Sequence, residues 1–145
     1  MRDNWVYLVQ TDTTVGFLSK SSKSLYAVKK RPLNKPFLRA VSRFELLHSV
    51  GRVPQCFRSS VRRSKKSSFI LPNGLSFRKV SGSHQRFVER FGWMFTTSAN
   101  RHGAKFDIKF AKSVCDVVVE SDKKLFESEP SSIWRLAKKR KVRVR

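Results

Sequence analysis

Three short stretches carry side chains suited to binding a charged small molecule. Thr11-Asp12-Thr13-Thr14-Val15-Gly16 sets hydroxyls beside a glycine. A glycine lets the backbone approach a ligand closely, and a hydroxyl both donates and accepts. An ordinary Thr/Asp turn gives the same pattern. Lys29-Lys30-Arg31-Pro32, followed by Lys35-Pro36, gathers cations that could neutralise a polyphosphate, and arginine adds a bidentate grip. Cations closing the C-terminus of a helix would look alike. Thr97-Ser98-Ala99-Asn100, with Gly103 beyond, ends an apolar run in hydroxyls and an amide. Such an end can hold phosphate or ribose, although serine and asparagine are also common helix caps.

The elements that must position these stretches can be read from periodicity. Trp5 to Gln10 is apolar, aromatic and β-branched, which predicts a buried strand, and TDTTVGF follows as a loop. Ser21 to Lys30 has helical spacing, and Pro32 ends it because the residue before proline avoids α geometry. Phe37 to Val41 reads as a strand. Ser42 and Glu45 form an S-x-x-E capping box ahead of Leu46 and Leu47, and Gly51 to Pro54 stops that short helix. A helix over Gln55 to Arg63 is expected next. Ser67 to Leu71 and Leu75 to Val80, joined by Pro72-Asn73-Gly74, predict a hairpin. A helix over His84 to Phe91, a strand over Trp93 to Thr97 and a helix over Asp107 to Val114 follow. Strands over Cys115 to Glu120, Ser132 to Leu136 and Val142 to Val144 complete the reading. Strands alternating with short helices predict a single α/β domain over residues 1–145 on a mixed, twisted sheet. Residues 137–145 form a basic final strand or tail.

Composition narrows the function. The 145 residues are 39% hydrophobic with twelve phenylalanines and three tryptophans, which argues for a folded core. No apolar run approaches the roughly 20 residues of a membrane span, and the first residues lack signal-peptide design, so a cytoplasmic protein with no membrane partner is expected. Cys56 and Cys115 lie far apart, and His48, His84 and His102 are scattered, so two reduced thiols and no structural metal are expected. Lysine plus arginine number 32 against 10 acids, a net charge of +22. Between Asp12 and Glu45 there are eight bases and no acid, between Glu45 and Glu89 nine bases and no acid. Seven more bases follow Glu129, again without an acid. Such self-repulsion calls for a polyanion, RNA above all, while a merely soluble basic surface stays open.

The order of the stretches is more specific than any one of them. TDTTVGF, then KKRP with KP, then a strand bearing an arginine, then TSAN with a glycine, then Pro130-Ser131-Ser132-Ile133, resembles the threonylcarbamoyl-AMP synthase family. That family carries P-T-[DE]-T-x-Y-G-L, K-x-R-P, S-x-N and P-S-T in the same order. The resemblance covers nearly the whole chain and implies the YrdC-like fold. It also implies a nucleotidyltransferase that joins L-threonine, bicarbonate and ATP, with Mg²⁺, into threonylcarbamoyl-AMP and pyrophosphate. The acyl group then passes to tRNA through the threonylcarbamoyl transferase machinery. The alternative is a non-catalytic module for double-stranded RNA or tRNA, or a ribosome-associated factor, on the same fold.

By this resemblance Lys29 and Arg31 are the catalytic, phosphate-holding pair, assisted by Lys35. Thr13, Arg78 and Thr96 bind threonine, with Arg78 on its carboxylate. Ser98, Asn100, Ser131, Ser132 and Arg143 form the nucleotide side. Lys138, Lys139, Arg140 and Lys141, distant in sequence from the K-x-R and S-x-N loops, are the expected RNA-binding run. Several positions depart from the family. Gln10 stands for its proline, Val15 for its tyrosine, and Arg63-Ser64-Lys65-Lys66-Ser67-Ser68 for its W-P-G-P-x-T stretch. Without the tyrosine, weak threonine binding is expected, to be improved by Val15→Tyr.

Overall fold

A computed structural model describes residues 2–145. Nine strands form one mixed sheet in the order β7-β1-β2-β6-β3-β5-β4-β8-β9. They are β1 (Tyr7–Gln10), β2 (Val15–Ser19), β3 (Leu38–Val41), β4 (Ser67–Ile70), β5 (Ser76–Lys79), β6 (Trp93–Ser98), β7 (Val117–Val118), β8 (Ser132–Leu136) and β9 (Lys141–Arg143). The helices are α1 (Ser22–Lys29), α2 (Arg58–Arg63), α3 (Gly82–Glu89) and α4 (Ile108–Val114). The α/β class and the mixed sheet agree with the sequence.

The register sorts side chains onto two faces, because directly paired residues point the same way. Leu18, Thr96 and Leu38 share the first face, as do Met94, Ala40 and Arg78. There α3 lays Phe87 and Val88 on Tyr7, Val9, Leu18, Ala40, Val80 and Met94. This helix covers only part of the face. The second face is mostly apolar, with Arg39 lying over the Trp93 and Phe95 rings. Phe77 and Phe69 pair across β5 and β4, with ring centroids 5.6 Å apart, beneath Leu47, Val50, Val53 and Val61. At the other end Leu25 of α1 and Ala111 of α4 pack with Val15 and Phe17.

Local chemistry explains most boundaries. The Ser21 hydroxyl caps α1 by accepting from Ser24 N at 3.2 Å, and Asp107 caps α4 through Lys109 N and Phe110 N. Several expectations are corrected. The stretch expected as a loop already enters β2 at Val15, because Val15, Phe17 and Leu18 of that strand close the core from both faces. Ser42 and Glu45 build no capping box: a 3-10 helix covers Phe44–Ser49 with Arg43 as N-cap, and the Ser42 hydroxyl instead donates to Gly92 O at 3.0 Å. The expected helix from Gln55 divides into a 3-10 turn over Gln55–Phe57 and then α2. The strand expected over Cys115 to Glu120 shrinks to two residues paired with β1.

Candidate functional site

The part of the first face that α3 leaves bare is the floor of a cavity of about 950 Å³. Its strands contribute Gly16, Leu38, Ser68, Ile70, Ser76, Arg78, Thr96, Ser98, Ile133 and Arg135. The walls come from Thr11, Thr13 and Thr14 of the β1–β2 loop, from Arg31 and Lys35 after α1, and from Ser131, Lys138 and Arg145 of the C-terminal arm. Gly16 is closely packed: a Cβ there would lie 3.0 Å from Thr97 O and 3.1 Å from a Thr11 methyl, so a side chain would press on both. Six lining residues are cationic, namely Arg31, Lys35, Arg78, Arg135, Lys138 and Arg145, and none is acidic. A cation-lined cleft over low-dielectric walls concentrates anions.

The hydroxyl loop is braced from inside. Thr13 N donates to Thr11 Oγ1 at 3.1 Å, the two hydroxyls are 3.2 Å apart, and the Thr11 hydroxyl also donates to Thr14 O. Gln10, at the family's proline position, accepts from Phe126 N at 2.9 Å through Oε1, while Thr14 Oγ1 accepts from Ser128 N at 3.2 Å. Both contacts tie the strap leading to Pro130 against the loop.

Lys29 and Arg31 separate in space. Lys30 adopts a left-handed conformation with φ 49°, which turns the chain sharply between them. Lys29 is only 9% exposed and does not line the cavity. Its Nζ donates to Ser98 O at 3.0 Å, Asn100 O at 2.5 Å and Asn100 Oδ1 at 3.1 Å. Burial, then the nearby Arg31 charge, lowers its pKa to about 8. The ammonium thus fixes the loop after β6. The Ser98 hydroxyl donates to Asn100 Oδ1 at 2.5 Å, and Asn100 Nδ2 donates to Ala104 O at 2.7 Å. Asn100 therefore stands behind the wall, and Ser98 lines it. Arg31 faces the cavity with its guanidinium 5.0 Å from the Phe37 ring centroid. The Tyr26 hydroxyl donates to Lys35 O at 2.8 Å, which steadies the loop carrying Lys35.

Arg78 lies on the floor, 5% exposed, with Nη2 3.1 Å from Asp12 Oδ1. The same oxygen is 3.1 Å from His84 Nδ1. Burial opposes the Asp12 charge, but the His84 hydrogen bond and Arg78 outweigh it and hold the carboxyl below its ordinary value. Burial lowers the His84 pKa more than Asp12 raises it, so the ring is neutral and its Nδ1–H donates to Asp12. Burial also lowers the Arg78 pKa; Asp12 works against this and Arg145 adds to it.

The Ser131 hydroxyl sits 2.7 Å from that of Ser68, beside the floor. Ser131 O accepts from Arg145 Nε at 3.2 Å and Nη2 at 2.9 Å. Arg145 thus lines the cavity together with Arg135. Arg143 lies outside it, its guanidinium 5.8 Å from the Trp134 ring centroid, and Ser132 is outside as well. The basic run divides: Lys138 lines the cavity with Arg31 and Lys35, so distance in sequence does not keep it apart from them in space, whereas Lys139, Arg140 and Lys141 are exposed beyond it. Val15 is 1% exposed within the core of the second face and meets no ligand surface. Val15→Tyr would overpack that core rather than complete a pocket. Eight of the site residues named from the sequence line the cavity: Thr13, Arg31, Lys35, Arg78, Thr96, Ser98, Ser131 and Lys138. No site role follows from the sequence for Asp12, His84, Arg135 or Arg145. Arg145 had a signal in the acid-free C-terminal charge run, but the Asp12–His84 contact spans 72 residues and had none.

The architecture can be set beside known ones. P. abyssi Sua5 complexed with L-threonine superposes with a TM-score of 0.78 at 15% identity, over 98% of this chain and 50% of that one. E. coli YciO gives 0.76 at 17% identity, over 97% of this chain and 82% of that one. Full-length HypF in its phosphate- and nucleotide-bound form gives 0.76 at 13% identity, over 98% of this chain and 27% of that one. The chain has the YrdC-like fold. It spans about half the length of the Sua5 structures that it matches. No protein-family model and no curated protein matches the sequence.

Proposed function

We propose that this chain is a threonylcarbamoyl-AMP synthase-like protein of tRNA modification, with L-threonine, bicarbonate and ATP meeting in the cavity of the first sheet face. The observation that carries this reading is a cation-lined cavity without a single acid, on a floor of hydroxyls. Its volume suits a nucleotide together with a small amino acid. Its fold is that of a protein solved with L-threonine and of another solved with phosphate and nucleotide.

The threonine amine adds to bicarbonate with loss of water, giving an N-carboxylate. A carboxylate oxygen then attacks the α-phosphorus of ATP, and the bond to the pyrophosphate leaving group breaks. Positioning and charge neutralisation drive such a transfer more than proton transfer does. Arg31 and Lys35 are suited to the phosphates, Arg78 to the threonine carboxylate, and Thr13 and Thr96 to its hydroxyl and amine. Arg145 and Ser131 are suited to the nucleotide side. Lys29 acts indirectly, by holding the loop that presents Ser98. The wall offers Mg²⁺ no carboxylate, so the lining residues do not build a protein site for the ion.

Calorimetric titration tests the pocket. L-threonine and ATP should each bind wild type, and Arg78→Ala should weaken threonine by about tenfold or more while changing ATP little. Equal weakening of both ligands would contradict the carboxylate assignment. A second reading, an RNA-binding module without turnover, is favoured by the burial of Lys29 away from the cavity.

A further inference from the structure

Arg78 would be a poor ligand contact if it were free to move. An arginine has several rotatable bonds, and each arrangement it explores dilutes the one that meets a ligand. Here its surroundings are restrictive. Asp12 Oδ1 lies 3.1 Å from Arg78 Nη2 on one side and 3.1 Å from His84 Nδ1 on the other. The three side chains are 5%, 6% and 1% exposed for Asp12, Arg78 and His84. They come from the β1–β2 loop, β5 and α3, so one carboxylate joins three elements. Arg78 Nε has no hydrogen-bond partner, and the ion pair with Asp12 is the guanidinium's one polar contact among the described residues. Arg78 still lines the cavity, whereas Asp12 and His84 do not.

We infer that Asp12, backed by His84, is a positioning residue that locks the Arg78 guanidinium so that its free edge faces the cavity as a fixed donor to a ligand carboxylate. This deepens the proposed function and rests on it for the nature of the ligand. His84 keeps Asp12 in place as a neutral donor. Asp12 offsets the Arg78 charge, so the floor selects by hydrogen-bond geometry, while Arg145 and Arg31 supply the net positive field. The device acts before any ligand arrives.

Arginine side-chain NMR tests it directly. In arginine-labelled protein, with Arg78 assigned by Arg78→Lys, the free wild type should show separately resolved Nη signals, because the paired guanidinium rotates slowly. In Asp12→Asn those signals should merge while thermal unfolding stays cooperative. Averaged Nη signals in wild type would overturn the inference, whether or not the variant folds, as would signals unchanged by Asp12→Asn. The ligand half is read separately by titrating L-threonine and L-threoninamide. Wild type should prefer the carboxylate by about tenfold or more, the scale of a charged hydrogen bond, and Asp12→Asn should lose the preference. A merely structural defect would weaken both ligands alike and leave the ratio intact, contradicting the positioning role. Resolved Nη signals without a wild-type preference would retain the lock and refute the carboxylate reading.

Discussion

A neutral histidine buried against a carboxylate makes stability depend on pH in a definite direction. The folded state lowers the His84 pKa from 6.5, so on acidification the unfolded chain takes up a proton that the folded chain resists. Stability therefore falls as pH drops through 6.5 toward the lower folded value. Asp12 works in a separate window, because its carboxyl lies below 3.8, so what it contributes is lost only at stronger acidity. Between about pH 7.5 and about pH 5.5, the melting temperature of His84→Gln should fall less than that of wild type. Parallel curves would mean that His84 is not the titrating group. At this scale the sequence was partly legible. Thr13, Arg31 and Ser98 could be read because each lies in a compact polar stretch. Lys29 could be named but not placed, because only the left-handed turn at Lys30 sends it behind the wall while Arg31 faces the cavity.

Among the elements, the β4–β5 hairpin was the most readable, because Pro72-Asn73-Gly74 carries its own geometry. Gly74 has φ +84°, a conformation that costs a residue with a Cβ, and Asn73 Oδ1 accepts from Leu75 N at 3.0 Å. A Cβ at Gly74 would meet nothing within 4 Å, so the cost is purely conformational. Gly74→Ala should lower the unfolding free energy by about 1 kcal/mol in a denaturant titration. No change would place the strain elsewhere in the turn. The β2 strand was hidden because Gly16 and the preceding hydroxyls imitate a turn, and the sheet overrides that local preference. The C-terminal arm was legible as basic but not in register. Only the pairing of Leu136 with Lys141 and Trp134 with Arg143 turns Arg143 away, and the chain then brings Arg145 to Ser131.

Across the whole molecule, charge is the dominant physical fact. Against a net charge of +22, the described residues show two Arg–carboxylate ion pairs, Arg78–Asp12 and Arg43–Glu89. The exposed Lys139, Arg140 and Lys141 are suited to an RNA backbone, and Lys141 Nζ already lies 4.3 Å from the Trp134 ring centroid. Changing these three to glutamine should weaken binding of a tRNA transcript and reduce the salt slope by about one for each lost phosphate contact. An unchanged slope in filter binding at several salt concentrations would remove this run from the RNA footprint. Lys138 is left intact in that experiment because it lines the cavity.

Pyrophosphate release measures most directly whether the acid-free cavity brings threonine, bicarbonate and ATP together. Purified protein should release pyrophosphate from ATP only with L-threonine, bicarbonate and Mg²⁺ all present, and Arg31→Ala should slow release by about 10²-fold. Absence of threonine-dependent pyrophosphate from folded wild-type protein would contradict the proposed synthase reaction and leave the cavity as a binding site alone.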